Sequence, residues 1–272
     1  MLRSQLFSPR SELSTVLALS LALLGGLLGA TRAAAADASL DQAIRGSGFI
    51  FLGTIEKPGA SNLSQLAGSS QTALVRVSEV IEQPEAFRDL RDDLVTVVLA
   101  DTSSAVEGEQ AVFFATGYLY GENLAVSEVT RLSGRFDVDS IRKLVAEVRQ
   151  AEADEALSGR LASASAVITG VVAGVRPMRS PEEDMGEHAA SWVLATLDVD
   201  TALKGEPVKA LYFAQDTDNF WRKTPKLAPG EKGIFLLQPY EGRDLPRGSS
   251  VVIDVLDVQP MTELDHVRGL LR

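Results

Sequence analysis

The chain of 272 residues contains no cysteine, so no disulfide, thiolate metal site or cysteine-linked lipid can form. Histidine is nearly absent, with only His188 and His266, which leaves few candidates for a general base working near neutral pH. Aromatic residues make up 6 % of the sequence. No serine stands in a nucleophile-elbow sequence, and neither a glycine-rich phosphate loop nor an HExxH pair occurs. Paired acids such as Asp198 and Asp200 have no partner group in the sequence that would make them converge. These absences leave no catalytic residue to nominate and require no cofactor, so the chain reads as non-enzymatic. Positive charge is also scarce: the net charge is −11. Such a balance repels phosphate backbones and anionic lipid heads, which argues against a nucleic-acid partner.

The amino-terminal 36 residues read as an export signal. Arg3 and Arg10 precede an apolar run from Val16 to Ala30, and Ala33 to Ala36 form a small-residue cleavage zone. This segment carries Arg3, Arg10 and Arg32 against Glu12, so its removal takes the net charge to about −13. A secreted or periplasmic protein is expected, with no membrane span after cleavage. The competing reading is an uncleaved anchor, because the uncharged stretch from Leu13 to Thr31 is near the lower limit for crossing a bilayer.

Beyond the leader, the chain is written nearly twice. Gly53 in Phe51-Leu52-Gly53-Thr54-Ile55 corresponds to Gly170 in Ile168-Thr169-Gly170-Val171-Val172. Val77 to Glu82 runs parallel to Val199 to Lys204, and Gly108 to Phe114 runs parallel to Gly230 to Leu236. Two modules are therefore expected, 37–158 and 159–272. Short β-branched runs between polar, Gly and Pro turns predict strands at 49–56, 72–81, 93–100, 110–117 and 124–132. In the second module the same pattern predicts strands at 164–174, 190–201, 208–214, 232–238 and 250–258. Each module closes with an amphipathic helix expected to seal one end of its sheet. The first carries Ile141, Leu144, Val145 and Val148 on one stripe. The second carries Leu264, Val267 and Leu271, with Thr262 and Asp265 placed as a capping box. In the charged, Ala-rich stretch 151–160 the first helix is expected to run on and serve as a semi-rigid connector. Gly108 and Gly230 open tight turns before buried strands, and Tyr118 and Tyr240 come after those strands as barrel-end residues.

Five strands in so short a module favour a small closed barrel. The first strand carrying Gly170 and Val171, the long second strand ending Ala202-Leu203-Lys204-Gly205, and the Pro229-Gly230-Glu231 turn before Ile234-Phe235-Leu236-Leu237 resemble the netrin-like, tissue-inhibitor-of-metalloproteinase-like version of the OB-fold barrel. The resemblance implies a mainly β chain with two tandem five-stranded OB-like barrels, each followed by an amphipathic helix. It also raises an inhibitor of secreted hydrolases as an alternative function. The disulfides and amino-terminal cysteine of that family are missing here, so its zinc-directed inhibition is carried over to no residue.

Two segments depart from the repeat. Residues 216–226 place Phe220 and Trp221 beside Arg222, Lys223 and Lys226, the aromatic and cationic composition enriched at interfaces. These residues are the candidate contact with a protein or cell-envelope component. The loop from 176 to 189 holds Glu182, Glu183, Asp184, Glu187 and His188, oxygen and imidazole donors that suit a hard cation and define a second alternative, a metal-assisted hydrolase. Together with the Gly- and Ser-rich stretch from Glu56 to Ser70, these loops are expected at barrel ends, where OB-type folds recognise ligands.

Overall fold

The computed structural model describes residues 39–101, 105–178, 191–215 and 222–272. The chain divides into two compact units meeting between Arg149 and Gln150, where the sequence pattern suggests 158/159. Strands dominate both. No helix among the described residues is long and apolar enough to cross a membrane.

In the first unit, strands β1 (Phe49–Pro58), β2 (Thr72–Glu82), β3 (Leu94–Val98), β4 (Gln110–Tyr120) and β5 (Leu124–Ser133) form a closed barrel in the order β1-β2-β3-β5-β4. All neighbours are antiparallel except β3 and β5, which run parallel over the pairs Thr96↔Ala125 to Val98↔Ser127. This is the Greek-key order of an OB-type barrel. Phe51, Phe113, Val75, Val97 and Val126 fill the interior, with the Phe51 and Phe113 rings stacked at 5.4 Å. Burying each such side chain contributes about 1.5–3 kcal/mol, which suits a core without crosslinks.

The continuous apolar runs of β1 and β4 result from burial on both faces. Phe49 and Phe51 point inward, whereas Ile50, Leu52, Val112 and Phe114 lie under helices on the outside. Those helices are α1, described from residue 39 to 45, and the first half of α2 (Val138–Ser163). Ile44 comes from α1, and Ile141, Val145 and Val148 from α2. The closing helix therefore covers the wall of the barrel formed by β1 and β4 instead of sealing an end, and α1 has no counterpart among the expected elements. Its last carbonyls, of Ile44 and the adjoining Ser47, accept hydrogen bonds from Arg149, which Glu82 holds at 2.9 Å.

The second unit contains β6 (Ala166–Pro177), β7 (Trp192–Lys204), β8 (Ala210–Ala214), β9 (Lys232–Pro239), β10 (Ser250–Val252) and β11 (Val258–Gln259). They form a six-stranded sheet ordered β10-β8-β7-β6-β9-β11, in which β10 also pairs with β9. From β6 to β10, the hydrogen-bonded neighbours repeat those of β1 to β5 strand for strand, including a parallel β8–β10 pair. The β1–β2 ladder shifts register at Ile50/Phe51, Leu52/Gly53 and Ile55/Lys57; the β6–β7 ladder does so at Val167/Ile168, Thr169/Gly170 and Val172/Gly174. Bulges at these steps coil the long first strand. Gly108 and Gly230 have φ of 81° and 87°, the left-handed conformation expected of those turns.

Three expectations in this unit are corrected. The strand expected over 250–258 is broken into β10 and β11 by a 3-10 turn, Val255–Asp257, closed by a capping box between Asp254 and Asp257. Thr262 does not cap the last helix, α3 (Leu264–Leu270): it lies in a 3-10 turn, Met261–Glu263, and the N-cap of α3 is Glu263, which makes no side-chain cap bond. The first helix does run on through 151–160, as expected, but that stretch is packed into the second unit's core and is more than a connector. Leu157 and Leu161 on the second half of α2 pack with Val167, Ile234, Leu236 and the α3 residue Val267, and Arg160 grips Asp257.

Candidate functional site

Loop residues converge on one end of the first barrel. The β1–β2 loop, residues 59–71, reaches across β3: Asn62 donates from Nδ2 to the Leu94 carbonyl at 2.7 Å, and its Oδ1 accepts from Thr96 Oγ1 at 2.7 Å. Asn123, in the β4–β5 turn, donates from Nδ2 to the Asn62 carbonyl at 2.9 Å. The clasp covers the short parallel seam between β3 and β5 and leaves Thr96 fully buried. Beside it opens a cleft of about 110 Å³ lined by Asn62, Phe87, Asp93, Tyr120, Glu122 and Asn123, among others. An aromatic ladder forms its wall. Phe49, at the start of β1, meets Phe87 edge-on at 5.1 Å, and Phe87 meets Tyr120 at 5.0 Å. Tyr120 is 72 % exposed, and Arg88 at the rim bonds Asp93 at 2.9 Å.

In the second unit the β9–β10 loop, 240–249, is held by aromatic residues. Trp192 Nε1 donates to Asp244 Oδ2 at 2.6 Å, and the Tyr240 hydroxyl donates to Asp244 Oδ1 at 2.5 Å, with the two rings edge-to-face at 5.1 Å. Partial burial works against ionisation of Asp244, but the bonds from Trp192 and Tyr240 outweigh it and hold the carboxyl below the usual carboxylate range. Burial, reinforced by the bond to Asp244, pushes the Tyr240 phenol well above its ordinary value. A depressed carboxyl contributes stability that is complete above its unfolded value and is lost as pH falls through the folded one. Acidification below about pH 4 is therefore expected to loosen the 240–249 loop. Trp192 fluorescence tracked against pH should show this transition, and Asp244→Asn should abolish it.

The ends of β6 and β8 flank the start of β7 on either side, with Met178 N bonded to the Trp192 carbonyl and Gln215 N to that of Ser191. The expected loops 176–189 and 216–226 thus leave the sheet at one end. A groove of about 560 Å³ lies there, lined by Val175, Pro177, Val193, Phe213, Gln215, Lys226 and Leu227. Arg222 and Lys223 are exposed, whereas Lys226 bonds the Ala214 carbonyl at 2.7 Å and supports the chain. Phe220 and Trp221 lie outside the described residues, as do Glu182, Glu183, Asp184, Glu187 and His188.

Tyr118 is exposed, as expected of a barrel-end residue, but Tyr240 spends its hydroxyl on Asp244. His266 pairs with Asp154 at 3.0 Å between α3 and α2. The sequence pattern does not reveal the Phe87–Tyr120 cleft. Its only signal is Tyr-Leu-Tyr-Gly at 118–121, where the second tyrosine continues the strand alternation outward. No protein-family model matches the chain, and no curated protein is similar to it.

Proposed function

We propose that the protein is an exported, non-catalytic binding module, built from a copied OB-like barrel of netrin-like type, that engages a protein or cell-envelope component. The amino-terminal leader supports export. The repeated strand order and the matched register shifts support a copied module. The observation that carries the binding reading is the cleft at the mouth of the first barrel, where Tyr120 stands 72 % exposed against the partly buried Phe87, which in turn meets the buried Phe49. Loops between the first two and last two strands are the recognition elements of OB-type barrels, and here both contribute to the cleft. A large exposed aromatic on a rigid base loses little entropy on contact, which suits it to anchor an interface. Phe220, Trp221, Arg222 and Lys223 are proposed as a second contact, on the second unit.

Tyr120→Ala is expected to weaken capture of the envelope partner by at least about 2 kcal/mol, an anchor-sized loss. Its melting free energy should stay within about 0.5 kcal/mol of wild type, because the side chain is exposed. Quantitative affinity capture from a detergent-solubilised envelope, with a thermal melt on the same sample, tests both. Unchanged capture by Tyr120→Ala would remove the first barrel's mouth as the site.

A further inference from the structure

The chemistry around the Phe87–Tyr120 cleft specifies more than a generic contact. Resting on the binding reading, we infer that it takes the guanidinium of an arginine side chain on a basic protein partner. Tyr120 meets Phe87 at 5.0 Å in a T-shaped contact and remains 72 % exposed, so its ring offers π surface to solvent, to which cations are drawn. The loops 83–93 and 121–123, which bound the cleft, carry five carboxylates against two arginines, and the 59–71 loop carries no charge at all. Two of those carboxylates, Asp93 and Glu122, line the cleft itself.

Asp93 is already bonded by a guanidinium, that of Arg88, which is 77 % exposed at the rim. The chain thus supplies from its own surface the pairing that an incoming arginine would make. A planar guanidinium can stack on a ring and use its fork of donors on a carboxylate at once, which a lysine ammonium cannot. A volume of about 110 Å³ matches one side-chain head group. The surplus negative charge of the whole chain would draw a basic partner towards it.

The test is an NMR titration of the full, isotopically labelled chain with a blocked glycine-arginine-glycine peptide. A citrulline analogue serves as the control, having the same shape without the charge. The arginine peptide should shift the amides of Phe87, Gly121 and Asn123 saturably. Citrulline should bind roughly tenfold more weakly, and Tyr120→Ala should weaken the arginine peptide roughly three- to tenfold. Equal binding of citrulline, or shifts scattered over the acidic surface and insensitive to Tyr120→Ala, would overturn the assignment. If envelope capture still depends on Tyr120 in that case, only the cationic identity of the ligand falls and the binding module stands.

Discussion

Asp257→Ala should destabilise the second unit by about 3–5 kcal/mol, enough to unfold a domain whose total stability is of order 5–15 kcal/mol. The Asp257 carboxylate is fully buried. It accepts two bonds from Arg160 Nη2 at 2.6 Å, one from Nε at 2.9 Å, one from Gln238 Nε2, and the backbone N–H bonds of Ile253 and Asp254. Truncation strands these donors in a site with little access to water. Arg160 is about a quarter exposed and recovers some hydration, so Arg160→Ala, which leaves the carboxylate buried without its counterion, should be the more damaging of the two. Asp257→Asn, which retains one acceptor, should cost about half as much. Chemical denaturation of the three variants gives the ranking.

The second large effect concerns the bulge glycines. A Cβ on Gly170 would meet the Asp198 carbonyl oxygen at 2.5 Å, a backbone atom that cannot turn away. On Gly53 it would meet the Val75 methyl at 2.5 Å and the Arg76 carbonyl at 3.0 Å. Gly170→Val should therefore cost about 3 kcal/mol, and Gly53→Ala about 1–2 kcal/mol because part of its clash is with a side chain. Both glycines sit at a register shift in the first strand, where the neighbouring strand crosses closely. Urea unfolding should show both losses; a neutral Gly170→Val would mean that the strand can slide to relieve the clash.

Much of the strand pattern is legible because one face of most strands alternates. In β2, Ala73, Val75 and Val77 are buried while Arg76 and Ser78 are exposed, and the expected bounds differ by a residue or so. Alternation cannot reveal the 3-10 turn at 255–257. Asp254-Val255-Leu256-Asp257 reads as part of a continuous strand over 250–258, whereas Asp257 turns back to the backbone N–H groups of Ile253 and Asp254 and takes Arg160, far away in sequence, as its counterion. The helix-end ties are hidden in a similar way. Glu82 and Lys204 align as opposite charges, yet each serves the helix that enters its unit. Glu82 orients Arg149 onto the carbonyls of Ile44 and Ser47, whereas Lys204 bonds those of Leu161 and Ala162 itself. The cleft is illegible because its residues come from three loops whose convergence depends on how the barrel closes. The acidic and aromatic loops of the second unit stand out by composition alone, and composition does not say what they touch.

Amide hydrogen exchange of the whole protein, free and saturated with its captured partner, tests the binding account most directly. Protection should rise at 59–71, 83–93 and 118–124, the segments that build the mouth of the first barrel. Protection confined to other surfaces, with those three segments unchanged, would contradict it.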